Sequence, residues 1–374
     1  MTRFTRRDLM KAGAFALAAP AVLRAHDALA SSGSINVYAW GDYFDKNTLV
    51  ADFTNATGVK VNLSTYGSNE ECENKLRAAG GKGFDVIFPS VDTGPNYYKD
   101  SLLQPIDEAR FKVAQVVPSI YRNSISLGAS YRGKRYLVPF DWGTEGITWD
   151  SSKFNKKSGE ISYADLWLAG NPKQTAIRQK SVFNGVALYL DATGELKSDR
   201  GLDLYKSEAE SRRVFEGCLK FIVAHKGNIG AYWNNATEAT AAFTDAGCTI
   251  GQTWDTTGIL LHRKTDKKWA YGMPKEGGLA WTDTFGIPAG AASVEQAYAF
   301  VNFLYDPVNG AKFANTTGYN TCAAGADQYL SDEAADAFKA AYPAGTIDNL
   351  FWWPMQTDFY AKLRAEYVEK LTNA

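Results

Sequence analysis

"INVYAWGDYF", residues 35–44, starts as a β-strand and ends in side chains that a strand end does not require. Ile35, Val37 and Ala39 alternate with Asn36 and Tyr38, the period of a half-buried strand. Trp40, Asp42 and Tyr43 then set two large rings around a carboxylate where the chain must leave the sheet. The next segments repeat a simple theme. "DKNTLVADFTNATG" (45–58) reads as a helix closed by Gly58, and "VKVNLSTY" (59–66) as a strand. Ser68 to Glu71 forms a capping box that opens a helix to Ala79. "FDVIFPS" (84–90) reads as a buried strand, and "TGPNYYKDSLL" (93–103) as a helix. This β-α-β-α-β order predicts a parallel sheet flanked by helices.

The pattern continues outward. "YLVPFDWGTEGITWD" (136–150) is an extended run, and Ser207 with Glu210 caps a helix whose Val214, Cys218, Phe221 and Ile222 share a face. "TEATAAFTDAG" (237–247) is a helix. "CTIGQTW" (248–254), "KWAYGMP" (268–274) and "LAWTDTFGIP" (279–288) are strands. From Ser293 the chain is mostly helical, ending in an amphipathic helix carrying Phe359, Leu363, Tyr367 and Leu371. No low-complexity linker or internal repeat divides it.

The N-terminus carries an address. Thr5-Arg6-Arg7-Asp8-Leu9-Met10-Lys11 is a twin-arginine pattern, Ala12–Leu23 is apolar, and "ALA" (28–30) suits a cleavage site. Residues 1–30 therefore read as an export signal, not a membrane span. The roughly 340 residues that follow exceed one ordinary core, so two lobes are expected. A net charge of −1 gives no electrostatic case for nucleic acid. The three His have no zinc-site spacing, and no metal or cofactor is expected. Cys72, Cys218, Cys248 and Cys322 show no CxxC spacing, and four Cys allow three pairings.

Strand tips collect rings and acids. Trp40, Asp42 and Tyr43 end one strand, Ser90 and Asp92 another, Trp254 and Asp255 a third, while Trp281 and Asp283 lie in "LAWTDTF". Ligands of open parallel sheets bind outside the carboxyl ends of strands. Ring faces attract an ammonium by about 0.5–2 kcal/mol each, and a carboxylate adds a charge-assisted bond. Any single Trp is more simply core, and Asp92 or Asp255 more simply a helix cap. The repetition points to a cationic ligand. No Ser-His-Asp spacing, metal-ligand set or phosphate-cradling loop suggests an enzyme. A ferric-ion site at Tyr97-Tyr98 is disfavoured, because adjacent helical positions do not share a face.

The sequence resembles the periplasmic polyamine-binding proteins, the spermidine/putrescine receptors of ABC importers. "VYAWGDYFDKNTLVADFTNATGVKV", "STYGSNEECENKL", "FDVIFPS", "PFDWGTEGI", "MPKEGGLAWTDTFGIP", "AYAFVNFLYDP" and "TGYNTCAAGA" follow that family's order. The resemblance implies the α/β type II periplasmic-binding fold, two lobes joined by crossovers around a ligand cleft. Lobe 1 would be 34–140 with 284–323, lobe 2 146–280 with 326–374. Crossovers would lie near 139–145 and 281–287, with a third connection near Gly325. It also implies an aromatic box of Trp40, Tyr43, Trp254, Trp281 and Tyr319, with Asp42, Asp283 and Ser90 as polar contacts. In one alignment, Arg178 and Ser181 fall where the family has acids, and Glu145 would then return an acid to the cleft. A guanidinium there would favour an amine that also bears a carboxylate or phosphonate. The expected protein is a monomeric, non-enzymatic periplasmic receptor delivering a small amine to an inner-membrane ABC permease. A receptor of this fold reporting to a membrane signalling protein is the other reading. Given those lobes, Cys72–Cys322 and Cys218–Cys248 are the expected disulfides.

Overall fold

The computed structural model describes residues 33–374 apart from 169, 171 and 266, so the export signal lies outside the described residues. The chain builds one mixed sheet whose two ends are parallel and whose middle is antiparallel. At one end stand β1 (Ser34–Trp40), β2 (Lys60–Tyr66) and β3 (Val86–Ile87). At the other stand β5 (Thr175–Arg178), β6 (Ile229–Trp233) and β7 (Ile250–Trp254). Between them run β4 (Leu137–Asp150) and β8 (Leu279–Gly286), giving the order β2-β1-β3-β8-β4-β7-β5-β6. The two middle strands pair with each other from Leu279 opposite Glu145 to Gly286 opposite Leu137, with a register shift after Asp283. Their far ends reach different partners: Gly286 meets β3, whereas residues 145–149 meet β7.

Apolar burial follows that division. One core gathers residues from 35–140 and 285–326, including Val37, Phe53, Phe88 and Phe313. A second gathers residues from 147–279 and 351–371, including Trp149, Phe183, Phe215 and Tyr367. β1 departs from simple alternation, because Tyr38, Ala39 and Trp40 are all buried. It is paired on both edges, and a parallel strand covered on both faces has no solvent side to alternate with. "FDVIFPS" keeps only Val86 and Ile87 in ladder pairing, although Phe88 is also buried.

The helix ends behave as their residues dictate. Gly58 takes φ 76°, which costs glycine nothing, and its N–H closes α1 (Leu49–Thr57) on Thr54. Ser68 accepts from the Glu71 N–H at the start of α2 (Asn69–Ala78), and Ser207 does the same for α3 (Glu208–Ala224). In the C-terminal helix, Asp358–Asn373, the buried face begins at Tyr360 instead of Phe359, and continues through Leu363, Tyr367 and Leu371.

The two expected disulfides are not formed: all four cysteines are free and buried. Cys218 packs in the core with Phe183 and Phe215, whereas Cys248 belongs to a separate cluster with Ala242 and Phe243. Cys72 sits against the Tyr66 and Tyr97 hydroxyls, and burial pushes its thiol up to about 12. Cys322 is anchored by its backbone N–H to Phe140. Each acts as a small apolar filler.

Candidate functional site

Where β4 and β8 cross between the cores, strand tips from both ends converge on a cavity of about 90 Å³. Trp40, Tyr43, Ser90, Asp92, Glu145, Arg178, Trp254, Trp281, Asp283 and Tyr319 all line it. Ten of the twelve residues singled out in the sequence thus meet in one place. The reason is topological, since parallel strands entering from either side present their tips to the seam.

The rings form one wall. The Trp40 indole N–H donates to the Phe88 carbonyl at 2.9 Å, and its ring meets Trp254 edge-on at 6.5 Å. Trp281 meets Tyr319 edge-on at 5.4 Å. Trp281 can lie flat on the crossing strand only because residue 143 is glycine. A Cβ there would stand 2.2 Å from the ring.

At one end sits Asp283. Ser90 donates to its Oδ1 at 2.5 Å, and the Tyr43 hydroxyl lies 2.7 Å from its Oδ2. Asn69 steers Ser90, donating to its hydroxyl at 2.8 Å. Burial pushes the Asp283 carboxyl up to about 7, against the lowering effect of Ser90 and Tyr43. Beside it, Asp92 accepts from the Gln356 amide at 2.7 Å, and burial raises its carboxyl too.

The other end is basic. The Arg178 guanidinium lies over the Trp254 ring at 4.6 Å and 3.6 Å from Glu145. Glu145 also accepts from Ser181 and from Gln252. Lys180 and Arg364 approach Glu70 at 2.8 and 3.2 Å. Partial burial opposes its ionisation, but these two cations outweigh that and hold Glu70 at about 2. Three cations therefore gather around Glu145 and Glu70, and Gln356 bridges Arg364 to Asp92. Two buried donors on the lining, Arg178 Nε and Trp281 Nε1, have no partner among the described residues. Buried donors are rarely left so.

Two expected residues lie elsewhere. Asp42 stands behind Tyr319, whose hydroxyl donates to it at 2.7 Å, and faces a neighbouring groove with Lys46 and Lys264. Asp255 opens α4 (Asp255–Lys264) and accepts from the Thr144 and Thr256 N–H groups and the Tyr342 hydroxyl. It clasps the crossing strand and does not reach the cavity. Conversely, Asn69, Glu70, Lys180, Trp353, Gln356 and Arg364 line the cavity without having been singled out as site residues. The first three follow the tips of β2 and β5, so the strand-tip rule could have found them. The others come from the C-terminal segment, which carries no local signal.

Comparison with known proteins agrees with this architecture. The spermidine/putrescine-binding periplasmic protein of Escherichia coli K12 is 28% identical over 373 residues, covering 98% of this chain and 97% of its own. The solved spermidine/putrescine ABC transporter substrate-binding protein PotD of Streptococcus pneumoniae has a TM-score of 0.71 at 22% identity, over 91% of this chain and 99% of that one. The Atu4243–GABA receptor structure has a TM-score of 0.66 at 17% identity, over 91% and 96%. These neighbours share the two-lobed type II periplasmic-binding fold. The sequence pattern of one family spans residues 48–346, most of both cores: the chain belongs to the bacterial extracellular solute-binding proteins.

Proposed function

We propose that this chain is the periplasmic receptor of an ABC importer, and that its solute carries an ammonium at one end and an acid group at the other. The observation that carries the ligand reading is the basic end of the cavity. Arg178, Lys180 and Arg364 gather there around Glu145 and Glu70, and Arg178 Nε is left without an acceptor. A second ammonium there meets excess like charge, whereas a carboxylate or phosphonate completes the set. At the opposite end Asp283, with the ring wall, takes the amine.

The receptor works without catalysis, as a monomer, and is exported through its twin-arginine leader. Its lobes are residues 34–140 with 284–323 and residues 146–280 with 326–374, hinged at 139–145 and 281–287 with a third connection near Gly325. The separate apolar cores on either side of the seam support this division. Closure on solute presents a joined surface to the permease.

A thermal-shift panel tests the ligand class, because a solute bound only by the folded chain raises its melting temperature. γ-Aminobutyrate, β-alanine or 2-aminoethylphosphonate should stabilise more than putrescine or spermidine. The reverse order would favour a simple polyamine, the second reading, which the naming of the Escherichia coli relative supports.

A further inference from the structure

One carboxylate beside the cavity takes no direct part in lining it. Asp141 is fully buried on β4, directly opposite Asp283 on β8. Like charges facing each other across paired strands destabilise a sheet. The Tyr43 oxygen lies 2.8 Å from Asp141 Oδ1 and 2.7 Å from Asp283 Oδ2, both hydrogen-bond distances. A phenol has one proton and can donate to one of them only. The other contact needs its proton from a carboxyl group, so the pair holds one.

The surroundings decide which member holds it. Asp283 already accepts from Ser90 and opens on the cavity. Asp141 Oδ2 has no partner among the described residues. The groups that act most strongly on Asp141 are acids, Asp283, Asp255 and Asp42 with Tyr43, and Asp141 in turn bears on Tyr305, Tyr319 and Cys322. A charge on Asp141 would have neither a cation nor a full set of donors, a costly state for a buried ion. We propose that Asp141 is kept as the neutral acid, donating to Tyr43 so that Tyr43 donates to Asp283 and the pair's single negative charge rests on the member that faces the solute. Asp141 is thus a positioning residue for the amine end. This rests on the proposed role of Asp283, but the proton placement can be tested without any solute. Burial and the neighbouring Asp283 also raise the Asp141 carboxyl well above its usual range, in keeping with the geometry.

Infrared and carbon-13 NMR spectra of unliganded protein labelled at aspartate decide the matter. At pH 8.5, about 1.5 units above Asp283's own titration near 7, one water-shielded protonated carboxyl should remain in the wild type. It should vanish in Asp141→Asn and persist in Asp283→Asn. No such signal in the wild type, or its loss in Asp283→Asn alone, overturns the assignment. With γ-aminobutyrate and 2-aminoethylphosphonate as probes, Asp141→Leu should weaken binding about tenfold, roughly one hydrogen bond's worth. Asp141→Asn, whose amide can still donate to Tyr43, should recover most of that loss. Equal losses in both variants would remove the donor role. A surviving carboxyl signal combined with unchanged binding in Asp283→Asn would refute the amine-site reading and leave the proton placement standing.

Discussion

Asp283 and Arg178 mark the two ends of the cavity, and each can be tested alone. Asp283→Asn keeps the shape but removes the charge. Breaking one partner of a buried charge pair costs roughly 2–5 kcal/mol, so amine affinity should fall a hundredfold or more. Unchanged calorimetric affinity would sink the cationic-site reading. Arg178→Ala should weaken an amino acid or aminophosphonate strongly and improve putrescine, because Glu145 loses its cation. Titration belongs to the same scale. The Asp283 carboxyl, raised to about 7 by burial, must ionise to hold an ammonium. Affinity should therefore be full above pH 7 and fall about tenfold per unit below it. A flat profile from pH 5 to 8 contradicts that role. Most of this was legible: the rings and acids at strand tips are local facts. Asp42 and Asp255 looked identical to the others in sequence. Only packing turned one behind Tyr319 and the other onto Thr144.

The strand β4 carries the site as an element. It is the one long run that pairs with β8 along one edge and β7 along the other. At Gly143 the strand backs directly onto a ring, with Trp281 and Asp255 both inside contact distance of any added Cβ. Gly143→Ala should force Trp281 out of place. Overpacking of this kind costs about 1–3 kcal/mol, and binding should suffer more than melting temperature, since the displaced ring lines the cavity. A variant with wild-type affinity would show that Trp281 is not a wall. The extended character of residues 136–150 was readable from their composition. Their partners were not, because strand pairing across a hundred residues or more leaves no local mark.

At the scale of the molecule, two ledgers govern stability and closure. Asp283 and Asp255 titrate near 7 in the folded chain, against an ordinary value near 4, and burial is the main cause for both. A carboxyl raised on folding binds its proton more tightly in the native state. Stability from these groups is therefore present at low pH and lost as pH rises from about 4 through 7, by up to about 1.4 kcal/mol per unit for each. The unliganded protein should melt lower at pH 7.5 than at pH 5.5, and Asp283→Asn should reduce that slope. A steeper slope in the variant would contradict it. In the proposed closure, the contacts that hold across the seam are Glu70 with Lys180 and Arg364, Asp92 with Gln356, and Lys99 with Asp358. Glu70 itself is half-exposed, so salt screens it. Glu70→Gln should enlarge the unliganded particle in small-angle scattering, as high salt should in the wild type; identical curves would count against a latch. What the sequence by itself determined is the set of local decisions: helix starts at Ser68 and Ser207, the stop at Gly58, strands with ring-and-acid tips, and two lobes by length. The tertiary structure decided what depends on distant meetings. It left the four thiols unpaired, brought Arg364 and Gln356 from the C-terminal segment to the cavity, and set Asp141 against Asp283. Side-chain periodicity is a property of neighbours in the chain. Charge balance in a cleft is a property of neighbours in space, and only the folded sheet makes the two coincide.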